Sequence, residues 1–138
     1  MKRYVGAFPG YAMKAVPVKW HPALLIRITE PNEELLPVSE GWDEQIVLRF
    51  HDIDKPLEDF VMFNKDMARQ IVDVVTSKDW SQVVVHCTAG VSRSPAVALA
   101  IAEYYGLEET AGRLGKFPFN KLVFRKMREV LSDLKKVG

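Results

Sequence analysis

The sequence predicts an α/β layer fold in one domain, a central and mostly parallel sheet of four or five strands flanked by helices. Three observations carry this prediction. Val83-Val84-Val85 is a β-branched run suited to a strand buried on both faces. A helical segment, Pro95 to Tyr105, follows it after one short loop. Strand-like and helical stretches alternate along the chain, the pattern of helices layered on both sides of a sheet. With 138 residues, 48% of them hydrophobic, the chain can build one core and is too short for two, so residues 1–138 read as a single domain.

Six of the eight prolines lie within the first 56 residues, so this part is expected to be loop-rich. Two short strands are expected within it, Leu24 to Thr29 and Ile46 to Phe50. From Phe63 to Val75, apolar residues at 63, 67, 71, 74 and 75 keep helical spacing, with Asn64 as a cap near the start. The run Val83–Val85 is the next strand, and a loop from His86 to Arg93 follows it. Ser94 is suited to cap the next helix, Pro95 to open it and Gly106 to stop it. After a poorly patterned stretch, Asn120 can cap a last helix that carries Val123, Met127, Val130, Leu131 and Leu134 on one face. Lys135 and Lys136 at its end complement the helix dipole.

A net charge of +1 gives no general attraction to nucleic acid or anionic membrane. No apolar run approaches the length of a membrane span, and the start lacks the apolar stretch of a signal peptide. The charge is uneven. Residues 30–59 hold ten acidic and two basic side chains, and residues 113–136 hold eight basic and two acidic. These read as solvated faces, the basic one able to steer anions. A single cysteine excludes an intrachain disulfide framework, and neither Cys nor His clusters at metal-ligand spacing. A reducing, cytoplasmic location is expected.

The chemistry concentrates in His86-Cys87-Thr88-Ala89-Gly90-Val91-Ser92-Arg93-Ser94, between the strand and the helix. A tight loop ahead of a helix can aim successive backbone N–H groups into one concavity, and the helix dipole favours an anion there. An arginine adds a planar fork that matches two oxygens of a phosphate. Gly90 lets the backbone turn and approach closely. The same surroundings arm a nucleophile, because thiols at helix N-termini beside a cation ionise more readily than free ones. One geometry therefore both binds a phosphate and activates the sulfur that would attack it.

His-Cys, five residues, Arg, then Ser or Thr is the signature of the protein tyrosine phosphatase superfamily. The chain resembles its compact dual-specificity branch, with residues 86–94 matching throughout. The resemblance implies that Cys87 is the nucleophile and that Arg93 binds phosphate and stabilises the transition state. It further implies that the backbone of Thr88, Ala89, Gly90, Val91, Ser92 and Arg93 lines the cradle, that Ser94 hydrogen-bonds the thiolate and that His86 orients the loop. It also implies a general acid, an aspartate on a mobile loop some thirty-odd residues before the cysteine. Asp52 and Asp54, 35 and 33 residues before Cys87 in Arg49-Phe50-His51-Asp52-Ile53-Asp54-Lys55-Pro56, are the candidates. The Phe-x-Asp-Ile pattern resembles the acid loop of compact members and favours Asp52. His51 is a lesser candidate beside it. His21 reads as structural, Phe117-Pro118-Phe119 as satellite core that could edge the cleft, and Tyr11 as a residue that could line the pocket.

Within the superfamily, Ser92 before the arginine and the short chain are unlike the large tyrosine-specific enzymes. The central position of Cys87 is unlike the low-molecular-weight branch, and the uncharged loop is unlike phosphoinositide phosphatases. The resemblance thus implies hydrolysis of phosphotyrosine, with phosphoserine and phosphothreonine as further substrates, in phosphorylated proteins or peptides. It implies neither a metal nor an organic cofactor and no nucleic-acid or membrane partner, and it leaves the oligomeric state open. Two alternatives on the same scaffold are a polynucleotide 5′-triphosphatase, which the near-neutral charge disfavours, and a non-catalytic phosphoprotein-binding module, which the intact cysteine, arginine and acid disfavour.

Overall fold

In the computed structural model, which describes residues 3–137 except for the side chains of residues 135–137, the chain runs through four strands and four α-helices. The elements are β1 (Tyr4–Pro9), a 3-10 helix (Gly10–Ala15), β2 (Ala23–Thr29), β3 (Glu44–Arg49), α1 (Lys65–Thr76), β4 (Gln82–Cys87), α2 (Arg93–Tyr104), α3 (Glu108–Leu114) and α4 (Lys121–Val137). The expected positions of the Lys135 and Lys136 side chains lie outside the described residues. Among the described residues no helix is long and apolar enough to cross a membrane.

The sheet has the order β1-β4-β2-β3, and every pairing is parallel. Val83, Val84 and Val85 are fully buried in β4, which lies between β1 and β2. Each side chain buried this way contributes roughly 1.5–3 kcal/mol relative to exposure. β1 is a strand that the proline-rich composition hides. Pro9, which has no N–H to give to a ladder, is tolerated because it ends an edge strand. Pro9 lies in register with Cys87, and Arg27 of β2 with His86, so both neighbours of β4 frame the cysteine end.

The helices do not divide between the two faces of the sheet as expected. All four α-helices pack on the face that carries Val5, Leu24, Ile26, Ile28, Val83 and Val85. The opposite face, with Leu25 and Val84, is covered by Met13 and Val16 and by the half-buried Val38 and Trp42. The 3-10 helix and irregular chain suffice there because that apolar cluster is small.

Side-chain caps mark the starts of α1 and α4 but not of α2 or α3. Asn64 Oδ1 accepts from the Met67 N–H at 2.9 Å, and the α1 stripe Ala68, Ile71, Val72 and Val75 is buried. Phe63 precedes the helix and packs on Phe50, ring centroids 4.8 Å apart. α2 begins at Arg93 with Ser92 in the cap position, so Ser94 lies inside the helix and is not its cap. Its hydroxyl faces the Cys87 sulfur instead. Pro95 falls in the first turn, where no intrahelical N–H bond is lost. At the other end Gly106 has φ +70°, with Gly106 N–H to Glu103 O (3.1 Å) and Leu107 N–H to Ala102 O (2.9 Å), a Schellman stop. α3 falls in the stretch without a clear pattern, where Thr110 and Gly112 dilute the periodicity. In α4 Leu122, Val123, Met127, Val130 and Leu131 are buried, whereas Leu134, expected on that face, is 38% exposed.

Candidate active site

The carboxyl ends of parallel strands are where ligands bind in open α/β sheets, and β4 delivers Cys87 there. The loop after it folds back over the sulfur. Gly90 N–H donates to Cys87 Sγ at 3.2 Å, and Ser94 Oγ lies 3.1 Å from the same atom. Gly90 takes φ +75°, and a Cβ there would sit 2.4 Å from Pro9 N, inside the β1 backbone. Cys87 is 2% exposed. The backbone N–H groups of Thr88, Ala89, Val91 and Ser92 make no hydrogen bond within the described residues. Unengaged amides on either side of Gly90, at a helix N-terminus, suit an anion.

Arg93 is 4% exposed and fixed at two points. Nη1 donates to Phe50 O at 2.7 Å, and Nη2 donates to Thr88 Oγ1 at 3.1 Å. A guanidinium has five N–H groups, and among the described residues these two bonds engage only two of them. Thr88 Oγ1 in turn donates to the carboxylate of Glu33, 2.8 and 2.9 Å from its two oxygens. Burial alone would raise the Glu33 carboxyl. Hydrogen bonds from Glu30 N–H and Thr88 and the Arg93 charge outweigh it, and the group lies below its ordinary value.

Behind the loop, His86 Nε2 accepts from Arg27 Nε at 3.1 Å, and Arg27 Nη2 donates to Leu36 O at 2.5 Å. Burial, with the Arg27 charge second, lowers the His86 pKa to about 4, so near neutral pH the ring is neutral and carries its proton on Nδ1. That nitrogen is buried, and among the described residues it makes no hydrogen bond of good geometry. Burial also lowers the pKa of Arg27. His86 thus stands behind the loop, outside the cradle.

Asp52 reaches the cradle and Asp54 does not. Asp52 Oδ1 accepts from Ser92 Oγ at 2.8 Å and from Asn120 Nδ2 at 2.9 Å. Asp54 is exposed and makes no hydrogen bond or ion pair within the described residues, although it lines the same open cleft as Asp52. His51 serves the loop's shape. Its backbone N–H donates to Val61 O at 2.7 Å, its Nδ1 accepts from Val61 N–H at 2.9 Å, and its ring packs on Phe60. His21, read as structural, has a partner in Asp43 Oδ2 at 2.7 Å. Phe119 packs against the core and lines the Asp52 cleft, and Phe117 is exposed. Tyr11 is 77% exposed on the 3-10 helix, next to Gly10, whose N–H donates to Thr88 O.

Sequence reasoning missed Glu33, Arg27 and the second role of Asn120. For Arg27 a signal existed, a charged residue inside the otherwise apolar Leu24-Leu25-Ile26-Arg27-Ile28. Glu33 lies 55 residues from its partner and carries no local mark. No protein-family model matches this chain, and a search of curated proteins finds no significant match.

Proposed function

We propose that the chain is a cysteine-dependent phosphatase of the dual-specificity type, hydrolysing phosphotyrosine and, more slowly, phosphoserine or phosphothreonine in proteins or peptides. One observation carries the reading. A buried cysteine sulfur, touched by the Gly90 N–H and the Ser94 hydroxyl, lies in a loop of unengaged amides beside a two-point-anchored Arg93. In the first step Cys87 Sγ attacks phosphorus in line. The phosphorus–oxygen bond to the leaving group breaks, and Asp52 gives that oxygen its proton. Arg93 and the loop amides hold the three remaining oxygens, where charge develops. In the second step Asp52 takes a proton from water, the water oxygen attacks phosphorus, and the sulfur leaves as thiolate. Ser94 Oγ donates to that thiolate and eases its departure. The reaction needs a free thiol, which fits a reducing, cytoplasmic setting.

The test is turnover on a matched panel of phosphotyrosine and phosphothreonine peptides, a phosphoinositide and 5′-triphosphorylated RNA. The reading expects the phosphotyrosine peptide to be the best substrate. Preference for the RNA would replace it with a polynucleotide 5′-triphosphatase. Tight binding of phosphopeptide without turnover would replace it with a binding module.

A further inference from the structure

We infer that Asn120 is a positioning residue for proton transfer, fastening the Asp52 loop to the phosphate loop before substrate arrives. The inference rests on the reading of Asp52 as the general acid. Asn120 is 7% exposed, and its hydrogen bonds join three parts of the chain. Nδ2 donates to Asp52 Oδ1 (2.9 Å) and to Ile53 O (3.1 Å), which uses both amide hydrogens on the acid loop. Its backbone N–H donates to Ser92 O in the phosphate loop at 3.1 Å. Its Oδ1 accepts from Val123 N–H at 3.1 Å, capping α4.

The helix does not require asparagine here. Ser and Asp cap as well as Asn does. Only the amide offers an acceptor to the helix and two donors to the acid loop at once. Aspartate would set a second carboxylate against Asp52, and serine would be too short to bridge the gap. Both donors that reach Asp52, from Ser92 and Asn120, bind Oδ1. Oδ2 accepts nothing within the described residues, so it is the oxygen free to carry the proton. The other charged groups lining this cleft are Asp54, Lys55 and Lys121.

The experiment compares the full chain with Asn120→Ser and Asn120→Asp, both of which keep a cap for α4. It measures kcat and KM on an aryl phosphate with a good leaving group and on phenyl phosphate, whose leaving group needs a proton. General-acid catalysis is worth typically 10²–10⁴ in rate, so losing its positioning should lower kcat on phenyl phosphate roughly tenfold or more. The expected loss on the good leaving group is under about threefold, with KM little changed. In Asp52→Asn the further change Asn120→Ser should cost nothing more on phenyl phosphate, because the two act through one proton. Equal losses on both substrates, or a double variant that loses the product of the single effects, overturns the inference. No aryl-phosphate turnover by the wild-type chain, or no leaving-group dependence in Asp52→Asn, overturns the reading beneath it.

Discussion

Gly90→Ala should damage both the fold and the site, and Gly106→Ala should separate the two causes. Both glycines have left-handed backbones, φ +75° and +70°. An L-residue in that conformation costs roughly 1–2 kcal/mol. At Gly106 a Cβ meets nothing within 4 Å, so Gly106→Ala should cost only that and leave turnover intact. At Gly90 the added Cβ falls 2.4 Å from Pro9 N and 2.8 Å from Phe8 C, and neither backbone atom can rotate away. The loop must therefore lift from β1, weakening the Gly10 N–H to Thr88 O bond of 3.3 Å, worth roughly 0.5–1.5 kcal/mol. The sum is about 1.5–3.5 kcal/mol, or roughly 5–17 °C in Tm for a domain of this size. Lifting the loop also draws the Gly90 amide away from Cys87 Sγ and displaces the neighbouring amides that the proposed reaction aims at the phosphate oxygens, and removing one donor of that second kind typically costs 10²–10³ in rate. Thermal unfolding and kcat on an aryl phosphate read both effects. Gly90→Ala with the Tm loss of Gly106→Ala and wild-type turnover would refute the packing of this loop against β1.

Asp52 and Asp54 should behave differently on substitution. Asp52→Asn should depress turnover strongly on phenyl phosphate and mildly on a good leaving group, whereas Asp54→Asn has a small effect that does not depend on the leaving group. Exchanged behaviour would move the acid to Asp54. The buried His86 should make stability fall in acid. Its folded pKa of about 4 lies below the ordinary 6.5, so as pH drops from 7 to 5 the unfolded chain takes up the proton first. That costs roughly 2 kcal/mol over the interval. Denaturant midpoints against pH should show this slope in the wild type and lose most of it in His86→Asn, which retains an acceptor for Arg27. An unchanged slope would mean that His86 titrates normally.

What was legible in the sequence is what sits locally. Cys87, Gly90, Arg93 and Ser94 fall within eight residues that run from the end of a β-branched strand through a tight loop into the first turn of a helix, so their spacing alone brings them together. The strand Ala23–Thr29 and the α1 stripe were visible because one pattern, an apolar run or a 3.6-residue period, dominates each. β1 was hidden because Gly6 and Pro9 dilute it, and its partner begins at Gln82, far along the chain. Ser94 looked like a cap because caps and thiol donors use the same hydroxyl, and only the fold decides which way it turns. The bonds of Asn120 to Asp52 and of Glu33 to Thr88 span 68 and 55 residues, and no local pattern encodes them.

The most direct test of the account is whether Cys87 carries the phosphoryl group. The wild-type chain mixed with an aryl phosphate and quenched in acid within one turnover should gain the mass of one phosphoryl group, mapped to the peptide holding Cys87. Cys87→Ser should show neither that adduct nor turnover while remaining folded and still binding phosphopeptide. Appreciable turnover by purified Cys87→Ser, or a phosphoryl group mapped to any other residue, would contradict the account.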